Sequence, residues 1–171
     1  MTNNDILRRI RYIFDYSDDK MVALFALADY TTTRAEVSDW LKKEDDSNHK
    51  VCADVFLATF LNGLIVDKRG KKQGPQPVPE KQINNNIIFN KLKIALNLKA
   101  EDVLALMALA DFRISKHELS AFFRKAQHRH YRECKDQCLR SFLKGMQLKY
   151  RDKQTSVEAK TPFKTVWPNV E

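Results

Sequence analysis

One stretch of sequence occurs twice in the chain in nearly the same form. Residues 23–30 read ALFALADY, and residues 105–112 read ALMALADF, 82 positions further along. At that offset residues 3–71 align with residues 85–153 without a gap, and 20 of the 69 aligned pairs are identical. A gapless register of this length is typical of two copies of one structural unit. The fold must therefore be built from the same module twice.

Each copy has the periodicity of helices. Apolar residues recur at intervals of three and four, as at Ile6, Ile10 and Ile13 in the first copy and at Ile88 and Leu92 in the second. Four such segments follow one another in each copy, and the alternation that marks a strand is absent. The sequence therefore predicts an all-α fold of two tandem, homologous four-helix modules related by the internal repeat.

Three helix starts are marked by capping residues. Ser17 is placed to cap the second helix. The third helix of each copy opens with a capping-box pattern, Thr33 to Glu36 and Ser115 to Glu118. In such a box the hydroxyl accepts an early backbone amide and the Glu accepts the amide of the cap residue. We expect both halves of this exchange in both copies.

A stiff linker separates the modules. Residues 68–82 read KRGKKQGPQPVPEKQ and hold three of the five prolines and two of the four glycines. Proline disfavours helix and stiffens an extended chain. The predicted domains are a first module at 1–67, a linker at 68–84, a second module at 85–153, and a poorly ordered tail at 154–171 unless Phe163 and Trp167 anchor it.

The chain has the features of a cytoplasmic protein. No apolar run approaches the roughly 18 residues that a membrane span requires, and the N-terminus lacks the order of a secretory signal. The three cysteines are odd in number and lie in helix-like patterns, which favours reduced thiols over a disulfide framework. We expect no membrane partner.

Positive charge is concentrated in the second half. The net charge is +8, yet residues 1–82 carry 13 basic and 13 acidic residues, so the whole excess lies in residues 83–171. A basic module invites an anionic partner such as RNA or DNA. The alternative is a solvated basic face, because Glu133 and Asp136 are interleaved with the cations. Tyr131 and Tyr150 are available to stack on bases. The nucleic-acid-binding candidates are Arg124, Lys125, Arg129, Arg132 and Lys135, with Lys68, Arg69, Lys71 and Lys72 of the linker.

One stretch resembles a zinc site. HRHYRECKDQC, residues 128–138, offers His128, His130, Cys134 and Cys138, with the cysteines at helical i, i+4 spacing. The internal copy has Asp46, Asn48, Cys52 and Phe56 at those positions, so Cys138 fills an apolar slot and Cys134 a slot that holds cysteine twice. A small buried cysteine packs as a hydrophobe. We therefore predict core cysteines, no metal and no cofactor.

Asp29 and Asp111 end the repeated block at the C-terminus of a helix, where the helix dipole disfavours an acid. We expect each carboxylate to cap the following helix or to accept amides in the short turn. The alternative is a pair of carboxylates that meets across the module interface as general acid and base.

The remaining motifs favour binding over catalysis. No nucleophile elbow, phosphate loop or dinucleotide fingerprint occurs, so we expect a non-catalytic protein. The first hypothesis is that the basic second module binds nucleic acid. The alternative is a protein-interaction adaptor that holds a partner in the cleft between the modules.

The motifs also resemble a known family. The ALADY and ALADF blocks, the helix ends FLNG and FLKG, and the linker GPQPVPEKQINNN are similar to those of the YehS-like family of small bacterial proteins. The resemblance covers about residues 1–153. It implies an all-helical tandem module in the bacterial cytoplasm, and it carries no activity to any residue.

Overall fold

The computed structural model describes residues 1–152, which contain eight α-helices and a closing π-helical segment, Gln147–Asp152, but no strand. The helices are α1 Asn3–Phe14, α2 Asp18–Leu27, α3 Arg34–Leu41, α4 Asp54–Arg69, α5 Asn85–Ala95, α6 Ala100–Leu109, α7 Lys116–Phe122 and α8 Asp136–Met146. The predicted fold class, two repeated four-helix modules, is confirmed. The predicted tail, with Phe163 and Trp167, lies outside the described residues.

The helix caps confirm half of each predicted exchange. Ser17 accepts the amide of Lys20 at 3.1 Å, and Thr33 accepts the amide of Glu36 at 3.1 Å. Ser115 likewise accepts the amide of Glu118 at 3.0 Å. The reciprocal half was wrong. The Glu36 carboxylate accepts the hydroxyls of Tyr30 (2.8 Å) and Thr32 (3.1 Å) instead, and Glu118 accepts the Ser115 hydroxyl. Side-chain hydroxyls within reach replaced the backbone amide as donors.

A buried asparagine ties the long loop of the first module to α1. Asn4 is 2% exposed, and its Nδ2 donates to the carbonyls of Trp40 and Lys50, each at 2.8 Å. Its Oδ1 accepts the amide of Cys52 at 3.0 Å. One carboxamide therefore satisfies three backbone groups that would otherwise be buried without partners. The loop between α3 and α4 is fixed at both ends by this single side chain.

Two glycines permit close helix crossings. Gly63 in α4 lies against α2, and a Cβ built on Gly63 would be 1.8 Å from the Leu24 carbonyl oxygen. Gly145 in α8 lies against α6, where a Cβ would be 1.9 Å from the Leu106 carbonyl oxygen. Any larger residue would force the helices apart. The FLNG and FLKG motifs are therefore packing motifs, which place α2 on α4 and α6 on α8.

Asp54 joins the two modules at the start of α4. Its Oδ1 accepts Nδ2 of Asn3 at 2.7 Å, within the first module. Its Oδ2 accepts the backbone amide of Ile83 at 3.0 Å, at the entry to the second module. The N-terminal ends of α1, α4 and α5 are therefore held together by one carboxylate.

Asp136, at the start of α8, does the same with the modules exchanged. Its Oδ1 accepts Nδ2 of Asn85 at 2.7 Å, and its Oδ2 lies 2.9 Å from the amino group of Met1. Four helices, α1, α4, α5 and α8, thus begin at one end of the molecule. Each module gives to the other the contact that it receives, which is the arrangement of a two-fold dimer within one chain.

The modules pack through two equivalent interfaces. At one, α4 lies beside α5, and Nζ of Lys91 donates to Oδ1 of Asn62 at 2.6 Å. Asn62 lies eight residues after Asp54, and Lys91 lies eight residues after Ile83. Because the two earlier residues are in contact and so are the two later ones, α4 and α5 run in the same direction. At the other, α1 lies beside α8 and the π-helical segment, where Arg151 donates to the carbonyl of Tyr12 at 2.7 Å.

The linker begins later than its sequence indicates. Helix α4 continues to Arg69, so Lys68 and Arg69 lie in its last turn and not in the linker. Gly70 and Gly74 follow with φ of 85° and 88°, a conformation that other residues rarely adopt. From there the chain returns to Ile83 beside the start of α4. The linker therefore runs back along the α4–α5 interface.

Every helix within residues 1–152 is too short or too polar to cross a membrane.

Replacing Gly63 or Gly145 by alanine is expected to destabilise the fold strongly. The added methyl would overlap a backbone carbonyl that cannot move without displacing a helix. We expect a loss of at least about 3 kcal/mol in the free energy of unfolding for each variant. Circular dichroism against denaturant measures it. Gly74→Ala is the control, because a Cβ there meets nothing within 4 Å and costs only the positive φ. Unchanged stability of the first two variants would contradict the close crossings.

Candidate functional site

The loop between α7 and α8, residues 123–135, carries five of the predicted cations, Arg124, Lys125, Arg129, Arg132 and Lys135. All five are exposed. Two tight turns shape the loop, in which the amide of His128 donates to the carbonyl of Lys125 and the amide of Tyr131 to that of His128, each at 2.9 Å. The sequence predicts that these residues share a surface, and the structure places all five on one loop.

Asn86 anchors this basic loop as Asn4 anchors its counterpart. Its Nδ2 donates to the carbonyls of Phe122 (3.0 Å) and Arg132 (2.7 Å), and its Oδ1 accepts the amide of Cys134 at 2.9 Å. Asn86 is 6% exposed. The backbone on either side of the turns is therefore fixed, while the five cations of the loop are exposed.

Most of the loop cations have no acidic partner. Lys135 pairs with Glu133 at 3.0 Å. Within residues 1–152 the other four cations form no salt bridge, and Arg129 instead donates from Nε to Nε2 of His130 at 3.1 Å. Arg124 lies 3.5 Å from a ring nitrogen of His128. Positive charge on this loop is thus left unneutralised.

The equivalent segment of the first module, residues 41–53, is balanced in charge. It carries three basic and three acidic residues, against five and one in residues 123–135. Lys42 and Lys50 both pair with Asp39, at 2.7 and 3.5 Å. The hydrogen bond from Lys42 lowers the pKa of Asp39 and raises the pKa of Lys42. The same backbone frame therefore presents charge in one module only.

The linker candidates lie elsewhere. Lys68 and Arg69 end α4, one helix length of about 24 Å from the end where α4 and α8 begin. Lys68 lies over the Phe14 ring, 4.9 Å from its centre. Lys71 and Lys72 are exposed. The nine predicted residues thus form two groups, one on the α7–α8 loop and one at the end of α4 and in the linker.

The predicted stacking tyrosines are only partly available. Tyr150 packs on Phe14 with ring centres 5.9 Å apart, and burial raises its pKa. Tyr131 is half-buried and lies within the basic loop. Of the two tyrosines, only Tyr131 is placed to stack on a base at the loop.

The candidate metal ligands separate by burial. Cys134 and Cys138 are 1% and 5% exposed, whereas His128 and His130 are exposed. Helix α8 begins at Asp136, so Cys134 precedes it and the predicted i, i+4 pair on one helix was wrong. No three metal-ligating side chains come together in residues 1–152. The cysteines contribute to the core, as their apolar positions in the repeat indicate.

The aspartates that close the repeated block have a backbone role. Asp29 and Asp111 have φ of 61° and 57°, the left-handed conformation that ends a helix. Both side chains are exposed, and neither carboxylate accepts a hydrogen bond within the described range. The expected cap was therefore wrong. Aspartate is tolerated here because it adopts left-handed conformations more readily than most residues.

Sequence reasoning predicted a cleft between the modules without naming its residues. The structure has one of about 700 Å³ between α4 and α5, with the linker as a third wall. Its apolar lining includes Leu27, Ile65, Ile87 and Ile94. We call it the α4–α5 cleft. A comparison of the two copies gives a signal for this cleft, since Asn62 corresponds to Lys144 and Ile94 to Tyr12, so its residues are not those of the other copy.

The equivalent cleft beside α1 is smaller and basic. It measures about 410 Å³ and includes Arg9, Tyr12 and Arg140 in its lining. Burial, with the nearby Arg140 guanidinium, lowers the pKa of Arg9. The two interfaces share a frame, but their chemistry has diverged.

The fold, the basic loop and the paired clefts together describe an all-helical protein of two repeated modules that pack against each other. The chain belongs to the family described as "Protein of unknown function (DUF1456)", which matches residues 3–70 and again residues 85–152. It is 44% identical over 147 residues to "Uncharacterized protein YehS" of Escherichia coli (strain K12), covering 85% of this chain and 94% of that relative. No solved structure matches this chain significantly. The resemblance seen in the motifs is confirmed.

Replacing Asn86 by alanine is expected to loosen the basic loop. The change removes both donors and leaves the buried amide of Cys134 without its acceptor. We expect the free energy that protects this amide from hydrogen exchange to fall by about 2 to 3 kcal/mol. Asn4→Ala is the matched control, since it removes the same bonds from the first module. Equal protection of Cys134 in wild type and Asn86→Ala would contradict the anchoring role.

The buried thiols predict a loss of stability in alkali. Burial, with the Asp54 and Glu36 carboxylates, raises the pKa of Cys52 from 9.0 to about 12. Above pH 9 the unfolded thiol therefore ionises while the folded thiol stays protonated, so stability falls as pH rises. This thiol should cost about 1.4 kcal/mol between pH 8 and pH 10. Urea unfolding of wild type and Cys52→Ala at both pH values measures the difference. An identical pH dependence in the two proteins would refute the shift.

Proposed function

We propose that this chain is a non-catalytic, cytoplasmic binding protein whose α7–α8 loop contacts an anionic partner, RNA or DNA. One observation carries the proposal. Four exposed cations, Arg124, Lys125, Arg129 and Arg132, have no carboxylate partner in the described range, while the equivalent loop of the first module is balanced.

Phosphate chemistry suits such a loop. Arginine offers a planar fork of donors that matches two phosphate oxygens, and lysine offers a mobile point charge. A fixed backbone frame reduces the ordering that binding requires, since Asn86 already holds residues 122, 132 and 134. The half-buried Tyr131 adds an aromatic edge to the same loop. Contact with phosphates should therefore dominate, with little discrimination among sequences.

A second candidate function is a protein-interaction adaptor that uses the α4–α5 cleft. A specific observation favours it: three linked polar side chains, Asn62, Lys91 and Glu80, line that cleft among apolar residues.

Fluorescence anisotropy of labelled single-stranded RNA and duplex DNA tests the first candidate. We expect micromolar binding at about 50 mM salt, weakened about a hundredfold at about 200 mM if four phosphates are contacted. The double variant Lys125→Glu/Arg129→Glu should weaken binding by at least about tenfold, because it reverses charge at the loop.

The charge-matched control is Lys71→Glu/Lys72→Glu, which changes the net charge equally at the other group of cations. Little effect from this control would support the loop as the contact. Equal weakening by both double variants would mean that net charge alone attracts the nucleic acid. No binding at the lower salt would exclude the first candidate altogether.

A further inference from the structure

The α4–α5 cleft contains a cluster of three polar side chains, of which Asn62 and Lys91 are largely buried and Glu80 is 37% exposed. Lys91 of α5 has a side chain only 12% exposed, and its ammonium pairs with Glu80 of the linker at 3.0 Å. The same ammonium donates to Oδ1 of Asn62 in α4 at 2.6 Å. One cation thus holds an amide and a carboxylate side by side. Its charge is balanced by Glu80, so the cluster does not require a charged ligand.

Two atoms of this cluster are left over. Asn62 is 6% exposed, and its Nδ2 is buried with no hydrogen-bond partner in residues 1–152. Oε2 of Glu80 is likewise buried and unpartnered within that range. A buried donor or acceptor without a partner is costly, and such groups are uncommon in folded proteins. The cluster therefore offers one donor and one acceptor for a ligand, held by a common ammonium.

The walls around these atoms are apolar. Leu27 and Ile94 are 38% and 45% exposed, and both line the cleft with Ile65 and Ile87. A volume of about 700 Å³ is within the range of ligand sites, which are mostly apolar with a few placed polar groups. Pro77 of the linker closes one side. An occupant needs an apolar group beside a polar one.

We propose that the α4–α5 cleft binds a peptide segment of a partner protein, with an apolar side chain in the cleft and a backbone amide on the polar cluster. The peptide carbonyl accepts from Nδ2 of Asn62, and a peptide N–H donates to Oε2 of Glu80. A peptide backbone carries acceptor and donor in close succession, which matches both unpartnered atoms. Neutrality of the amide matches the balanced Lys91–Glu80 pair.

The internal repeat supports a specific role for this one cleft. At the equivalent interface Arg9 stands for Lys91, Lys144 for Asn62 and Tyr12 for Ile94. Among the described residues, the pairing of Lys91 with a carboxylate has no equivalent at Arg9. The donor, the acceptor and the apolar wall therefore occur together at the α4–α5 cleft. This inference deepens the second candidate function and is independent of nucleic-acid binding by the loop.

The test uses the full chain, labelled with nitrogen-15, and N-acetyl-L-leucine N-methylamide as the probe. We expect binding with a dissociation constant of about 1 mM, the affinity typical of a ligand this small. The side-chain amide signal of Asn62 should shift, together with the backbone signals of Ile87 and Ile94. The same compound methylated at both nitrogens has no N–H and should bind at least about tenfold more weakly.

Two variants and a matched control complete the experiment. Glu80→Gln keeps the size of the side chain but offers a donor toward the ligand, so we expect at least about tenfold weaker binding. Ile94→Asp should abolish binding, whereas Tyr12→Asp, at the equivalent position of the other cleft, should leave it unchanged. No shift with the probe, or equal affinity for the methylated compound, would overturn the proposal.

The chain's own C-terminal segment is the competing occupant. Its two large aromatic residues are replaced in the double variant Phe163→Ser/Trp167→Ser. If the Asn62 side-chain signal moves in this variant without any probe, the occupant is the chain itself and the proposed partner peptide is excluded. If the signal stays in place and the probe still binds, the proposal stands. Anisotropy with RNA and DNA, measured on the same variants, keeps this outcome separate from the function of the loop.

Discussion

The carboxylates of Asp54 and Asp136 hold the architecture together. Each accepts a hydrogen bond from the first helix of its own module and a second from the residue that leads into the other module. These acids lie in the first turns of α4 and α8, so their negative charges also stabilise the positive N-terminal ends of those helix dipoles. The result is that α1, α4, α5 and α8 begin together, and that the module interfaces follow from where they begin.

The internal repeat separates residues that build the module from residues that use it. Asn4 and Asn86, Cys52 and Cys134, and Gly63 and Gly145 are identical pairs. Each pair makes the same buried contact in both copies. The copies diverge in the long loops and in the two clefts. A duplicated module that keeps its frame and changes its surfaces can present two different binding faces, and those divergent faces are where we place function.

The fold was predictable because its signals are local. Short windows of sequence contain the helical period and the hydroxyl caps at Ser17, Thr33 and Ser115. The repeat follows from aligning one half of the chain with the other. The failures involve choices among neighbours in space. Glu36 had hydroxyls in reach, and Asp29 serves through its backbone angle rather than its carboxylate. The basic loop was predictable from composition, but the Asn62–Lys91–Glu80 cluster was not, since α4, α5 and the linker meet only after the modules pack.

The packing of the two modules along α4 and α5 can be measured in solution. A nuclear Overhauser spectrum should contain a cross-peak between the side-chain amide protons of Asn62 and the ε-methylene protons of Lys91, whose Nζ lies 2.6 Å from Oδ1 of Asn62. Contacts within a module, such as those of the Asn86 side chain with the loop amide of Cys134, provide the internal standard. We expect both kinds of cross-peak. Cross-peaks within the modules without the one between Asn62 and Lys91 would mean that the modules stand apart in solution, which would contradict the shared cleft.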